Sequence, residues 1–169
     1  MKYFTYLFLL IGLGSCSNLV WGTYYNKLEW YSISLEKTAA IEKKEVGLSA
    51  KEKKFAQVLM ANQPKSLRKA DFIKALEGFG FVKQQVPSKK FAGINELLFS
   101  EKSEGRRTTS CEPFYRDILV FRRDARLVGI AKICFECNKS YMVGIEHQTR
   151  NFGKKNDYED LEKILKAKP

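Results

Sequence analysis

The sequence predicts an α+β domain: two or three N-terminal helices, an antiparallel sheet of about four strands, and a C-terminal helix packed on the sheet. Three observations predict it. Ser49-Ala50-Lys51-Glu52 is a capping box placed ahead of Phe55, Val58 and Leu59 at helical spacing. Tyr115 to Gly144 carries short apolar runs joined by links of turn length, the pattern of an antiparallel meander. Leu161, Ile164 and Leu165 then form one apolar stripe behind a start signal at Asn156 or Asp157.

At the N-terminus Lys2 leads into an uncharged apolar run, Tyr3 to Gly14, which ends in Leu13-Gly14-Ser15-Cys16. This is the layout of a secretory signal peptide over residues 1–15. Its ending resembles the lipobox of bacterial lipoproteins. That resemblance implies removal of residues 1–15, acylation of Cys16 (palmitate included) and attachment to a membrane, with residues 16–33 as tether. Ser17, where an Asp would favour retention, points by the same resemblance to the outer membrane of a Gram-negative cell envelope. Two other readings stay open. Apolar character resumes at Leu19-Val20-Trp21, so residues 3–25 also read as an uncleaved anchor helix. Against it stand the small residues from Gly12 to Ser17, the polar Asn18 and the lack of strongly basic flanks. The third reading is simple cleavage.

The rest, residues 34–169, reads as one domain. Ser34 to Val46 is a short exposed helix with a poor apolar stripe. The capped helix covers 50–62 and Pro64 breaks it. Ser66 can cap a second helix through Glu77, with Gly78 in the place of a C-terminal glycine. Phe79 to Val86 reads as a strand ended by Pro87, and Phe91 to Ser100 fits a strand or a short helix. Tyr115 to Arg122 is apolar on both faces at Ile118 to Phe121, which implies a central strand with a face covered by helices. Leu127 to Cys134 returns from it, Ser140 to Ile145 is a third strand, and 158–166 is the last helix.

With 30 Lys and Arg against 19 Asp and Glu, the chain carries a net charge of +11. Loss of residues 1–15 would remove only Lys2 from that balance. The charge suits anionic partners such as lipid headgroups, acidic polysaccharide or nucleic acid, or equally a solvated, lysine-rich surface. The basic residues fall in short pairs, Lys43-Lys44 and Arg122-Arg123 among them, rather than one block. With an exported address, that pattern argues against nucleic acid.

Beyond Cys16 the cysteines are Cys111, Cys134 and Cys137, an odd number for an exported chain. An oxidising compartment favours a disulfide, within Cys134-Phe135-Glu136-Cys137 or from Cys111 to one of its members. A hairpin turning near 124–125 puts position 134 opposite about 115, which brings Cys111 within range of that end. Cys111, Cys134, Cys137 and His147 would alternatively make a Cys₃His zinc set, though only the C-x-x-C spacing matches a zinc half-site. Thiol redox chemistry is the third option. Thioredoxin-like proteins, however, place C-x-x-C at a helix start, and here it follows a strand. Free thiols or an intermolecular bridge complete the alternatives.

There is no G-x-S-x-G, H-E-x-x-H, phosphate loop or G-x-G-x-x-G, so the sequence supports no enzyme and names no catalytic residue. The segments Tyr115 to Phe121, Val128 to Cys137, Asn151-Phe152-Gly153 and Asp157 to Leu161 resemble uncharacterised small exported or lipid-anchored proteins of Gram-negative bacteria. The likeness covers about the last 60 residues. It implies that the C-x-x-C, the Asn-Phe-Gly turn and the final helix form one unit, with Cys134, Cys137 and Phe152 close together. Arg116, Asp117 and His147 would be its polar neighbours. The expected function is that of a membrane-anchored, non-catalytic binding or interaction module needing no cofactor. A zinc-binding or thiol-redox protein is the alternative.

Overall fold

A computed structural model describes residues 24–42, 47–68, 71–100, 110–153 and 156–168. The signal peptide, Cys16 and the candidate anchor span up to Thr23 lie outside them. Among the described residues no helix is long and apolar enough to cross a membrane.

The elements run β1 (Lys27–Ser32), α1 (Leu35–Glu42), α2 (Ala50–Met60), α3 (Asp71–Gly78), β2 (Val82–Gln85), α4 (Phe91–Leu98), β3 (Asp117–Arg123), β4 (Arg126–Cys134), β5 (Lys139–Val143) and α5 (Asp157–Lys166). The α+β class holds, with five described strands where about four were expected. They form one sheet in the order β2-β1-β3-β4-β5, antiparallel throughout.

Alternation along the strands sorts the core into two halves. Leu28, Trp30, Leu119, Phe121, Ala131, Ile133 and Met142 pack under α4 and α5, through Ile94, Leu98, Tyr158, Leu161 and Leu165. Tyr31, Ile118, Val120, Ile130 and Val143 face the other way, onto Ile41 of α1, Leu59 of α2 and Leu76 of α3. The sheet is thus covered on both sides. The run Ile118 to Phe121 is apolar at every position because β3 sits in its middle.

The segment 16–33, expected as a tether, needs correction where it is described. Lys27–Ser32 is β1, hydrogen-bonded to β2 on one side and β3 on the other, with Trp30 opposite Leu119. Its buried Glu29 hides the strand from a hydropathy reading. That carboxylate is met by Arg122 Nε at 2.9 Å, Lys83 Nζ at 3.1 Å and Lys27 Nζ at 3.4 Å. The edge strand β2 is exposed at all four positions.

The helix ends follow local rules. The Ser49–Glu52 capping box forms as expected, Ser49 N–H donating to Glu52 Oε2 at 2.7 Å and Glu52 N–H to Ser49 Oγ at 3.3 Å. Helix α3 is described from Asp71, not Ser66. Its left-handed glycine is Gly80 (φ +92°) rather than Gly78. Phe81 N–H bonds Leu76 O and Gly80 N–H bonds Glu77 O, a Schellman ending that starts β2 at Val82. The ambiguous segment 91–100 is helical as α4. Asn156 makes no side-chain cap for α5; Asp157 Oδ2 instead accepts the Gly153 N–H at 2.9 Å.

Gly144 closes β5 at φ +78°, where a Cβ would stand 2.4 Å from Leu67 Cδ1 and 3.0 Å from Val128 O. Gly144→Ala combines backbone strain with that crowding, so unfolding free energy should fall by about 2–3 kcal/mol. Urea denaturation reads this directly; a loss below about 0.5 kcal/mol would show that Leu67 yields freely.

Candidate functional site

The chemistry-bearing residues gather where β4 ends, β5 begins and the chain approaches β3. Cys134 is the last residue of β4, and a four-residue turn, Phe135 to Asn138, carries Cys137 back toward β5. Asn138 takes φ +51°, a conformation asparagine tolerates. The turn meets the segment 111–116, whose Cys111 is bridged to Cys137 with Cα atoms 5.7 Å apart, an ordinary disulfide span. Cys111 is exposed and Cys137 buried. Lys139 Nζ donates to the Cys111 carbonyl and pins the exposed side of the bridge.

Cys134 remains a buried thiol, packed with Cys137 and Tyr115. Its sulfur accepts the Phe114 N–H at 3.4 Å and lies 3.7 Å from Glu136 Oε2. Burial pushes the thiol up; the Phe114 and Cys137 N–H groups and the Arg116 guanidinium work against that, and burial wins. Glu136 is ion-paired with the nearly buried Arg116. Burial raises its carboxyl, but its own backbone N–H and Arg116 outweigh it and hold Glu136 below the usual range.

Two residues back along β4, on the same face, stands Lys132, completely buried. Its Nζ donates to Ala61 O at 2.6 Å, just past the end of α2, and sits 4.4 Å from the Tyr115 ring centroid and 6.0 Å from that of Tyr141. Burial pushes this ammonium down to about 7. The cage is tied to the end of α2 and the loop after it: Tyr115 N–H donates to Leu59 O at 2.7 Å, Tyr115 OH to Asn62 Oδ1 at 3.3 Å, and Tyr141 OH to Pro64 O at 3.0 Å. Sequence reasoning overlooked Lys132 as a site residue. The signal was there: one lysine inside a strand apolar on both faces must be buried or must break the pattern.

Of the residues expected together, the structure joins Cys111, Cys134, Cys137 and Arg116. It separates the others. Asp117 points to the α4/α5 face, where its Oδ1 accepts the Trp30 Nε1–H at 2.8 Å. Burial drives its carboxyl up to about 6 against that hydrogen bond and Lys166. His147 is exposed in the loop after β5, beyond the end of the strand opposite Cys134, which pairs with Lys139 at the strand's start. The Cys₃His zinc set therefore does not assemble: two of its sulfurs are bridged and its imidazole stands a strand's length away. Among the described residues no group of three or more His, Cys, Asp or Glu is placed to hold a metal. Phe152 packs against Tyr158, ring centroids 4.8 Å apart, in the core beneath α4 and α5. The cysteines form a separate cluster, because positions 132 and 134 project from the opposite side of the sheet.

Fold and site together define a helix-covered antiparallel α+β domain with a disulfide-pinned corner around a buried thiol and a buried amine. In comparisons with known proteins, no family model matches this chain, and no curated protein or solved structure gives a significant match.

Proposed function

We propose that the protein is a lipid-anchored, non-catalytic binding module of the cell envelope, held through Cys16 on the outer membrane of a Gram-negative cell. The observation that carries this reading is the pairing, in one chain, of a lipobox-like Leu13-Gly14-Ser15-Cys16 with a Cys111–Cys137 bridge. The first is a signal for export and acylation; the second suits an oxidising compartment. Two or more acyl chains on one cysteine suffice for stable anchoring.

The partner is an anionic envelope component or an acidic protein face. A cleft of about 380 Å³ opens between β2 and the end of α5, with Trp30, Val86 and Pro87 as apolar lining and Lys90, Lys166 and Lys168 around it. Lys90 also holds the end of α5, donating to Leu165 O at 3.1 Å and Ala167 O at 2.6 Å. Apolar walls with a few cationic groups suit an amphipathic anion.

The test is metabolic labelling of the full chain with an alkyne analogue of palmitate in a Gram-negative host, followed by membrane fractionation. Label on the full chain, lost together with membrane association in Cys16→Ala, is the expected result. An unlabelled chain, or label retained by Cys16→Ala, overturns the anchored reading.

A further inference from the structure

We propose that Cys134, Cys137 and Cys111 form an intramolecular thiol–disulfide switch, in which the bridge passes from Cys111–Cys137 to Cys134–Cys137 and releases Cys111 as a surface thiol. This rests on the geometry of the corner and not on the lipid anchor.

Two features carry it. The attacking thiol and the central sulfur belong to one C-x-x-C turn and pack in the same buried cluster. The two backbone N–H groups of Phe114 and Cys137 are directed at the Cys134 sulfur, and Arg116 adds a positive charge; all three favour its thiolate. Against them, the Glu136 carboxylate 3.7 Å away accepts the thiol's hydrogen bond and, like burial, opposes the thiolate.

The step balances without an outside oxidant. Cys134 gives its proton to hydroxide or buffer base as the pH rises, and its electron pair forms the Cys134–Cys137 bond. The Cys137–Cys111 bond breaks, its pair goes to the Cys111 sulfur, and that exposed thiolate takes a proton from solvent. The Lys139 ammonium, bonded to the Cys111 carbonyl, puts positive charge at the residue that receives the pair. Sulfur is conserved as one thiol and one disulfide throughout. What changes is position: a buried thiol becomes an exposed one, and the segment 111–116 loses its covalent tie to the turn.

The charged and titratable groups around Cys134 are Glu136 on its own turn, Arg116 and Tyr115 from the approach to β3, Lys132 on β4 and Tyr141 on β5. Burial is the largest influence and opposes the thiolate, so exchange is slow near neutrality and accelerates in base.

The experiment uses the oxidised full chain, extracted in detergent and held native with iodoacetamide at pH 7.0, 7.5, 8.0 and 8.5. Samples are acid-quenched and mapped by non-reducing peptide mass spectrometry. The expected product carries the alkyl group on Cys111 and a Cys134–Cys137 bridge, forming up to about tenfold faster per pH unit as the thiolate fraction rises. Cys134→Ser should keep the Cys111–Cys137 bridge and leave Cys111 unlabelled over the same period. Alkylated Cys134 with the original bridge intact overturns the proposal, as does Cys111 labelled equally in Cys134→Ser. If that variant fails to fold, the wild-type product map decides alone, because its two outcomes are chemically distinct.

Discussion

Replacing Lys132 with methionine is expected to flatten a rise of stability with pH that the wild-type chain shows from about pH 7 to about pH 9. Burial moves this ammonium from 10.5 down to about 7. Between those values the unfolded chain holds a proton that the native chain has released, so stability climbs by about 1.4 kcal/mol per pH unit. Below pH 7 both states are protonated and the full cost of burying the charge, about 5 kcal/mol, is in force. Methionine removes that cost but leaves Ala61 O without its donor, a loss of about 1–3 kcal/mol. The variant should therefore be more stable by about 2–4 kcal/mol at pH 6, with the gap closing near pH 9. Above pH 9 the sign reverses for the thiol: native Cys134 keeps a proton that the unfolded chain loses, and stability falls. Denaturant titrations of both proteins at each pH read the difference. A variant weaker by several kcal/mol at every pH, with the wild-type slope retained, would mean that the Ala61 carbonyl and Tyr115 ring hold the ammonium charged.

Asp117→Asn is expected to stabilise the protein at pH 7 by up to about 3 kcal/mol and to change nothing at pH 3.5. Here the folded value is raised, from 3.8 to about 6, chiefly by burial. The native chain then holds a proton that the unfolded chain has lost, and stability declines as pH rises from about 4 to about 6. Asparagine keeps an oxygen for the Trp30 Nε1–H and removes the charge. Glu29 and Glu136, both held low by cations, pull stability the other way in acid; subtracting wild type from variant cancels them. Equal stability at pH 7, with a carboxyl that titrates near 4 by NMR, would show that Lys166 compensates the burial.

The parts of the fold legible in the sequence were those with local causes. The capping box at Ser49, the meander from Tyr115 and the stripe of α5 each rest on residues a few positions apart. Strand β1 was not legible, because Glu29 makes sense only beside Arg122, 93 residues away, and Lys83. Helix α3 ends at Gly78 as expected, but its left-handed glycine is Gly80, two residues on, since both glycines satisfy the same compositional rule and only the backbone separates them. At the site, hairpin arithmetic brought Cys111 to the right end of the sheet but left its partner open. Strand alternation, applied to 130, 132 and 134, would have placed Lys132 beside Cys134 and parted both from Phe152. His147 entered only as the chain's one histidine, and its position follows from the direction of β5.

The place of β1 between β2 and β3 also dictates an order of events. Synthesis delivers Lys27–Ser32 first, yet its inner neighbour Asp117–Arg123 follows roughly ninety residues later, and until then only the short edge strand β2 is on offer. A nascent chain therefore has no completed sheet to collapse onto through most of its length.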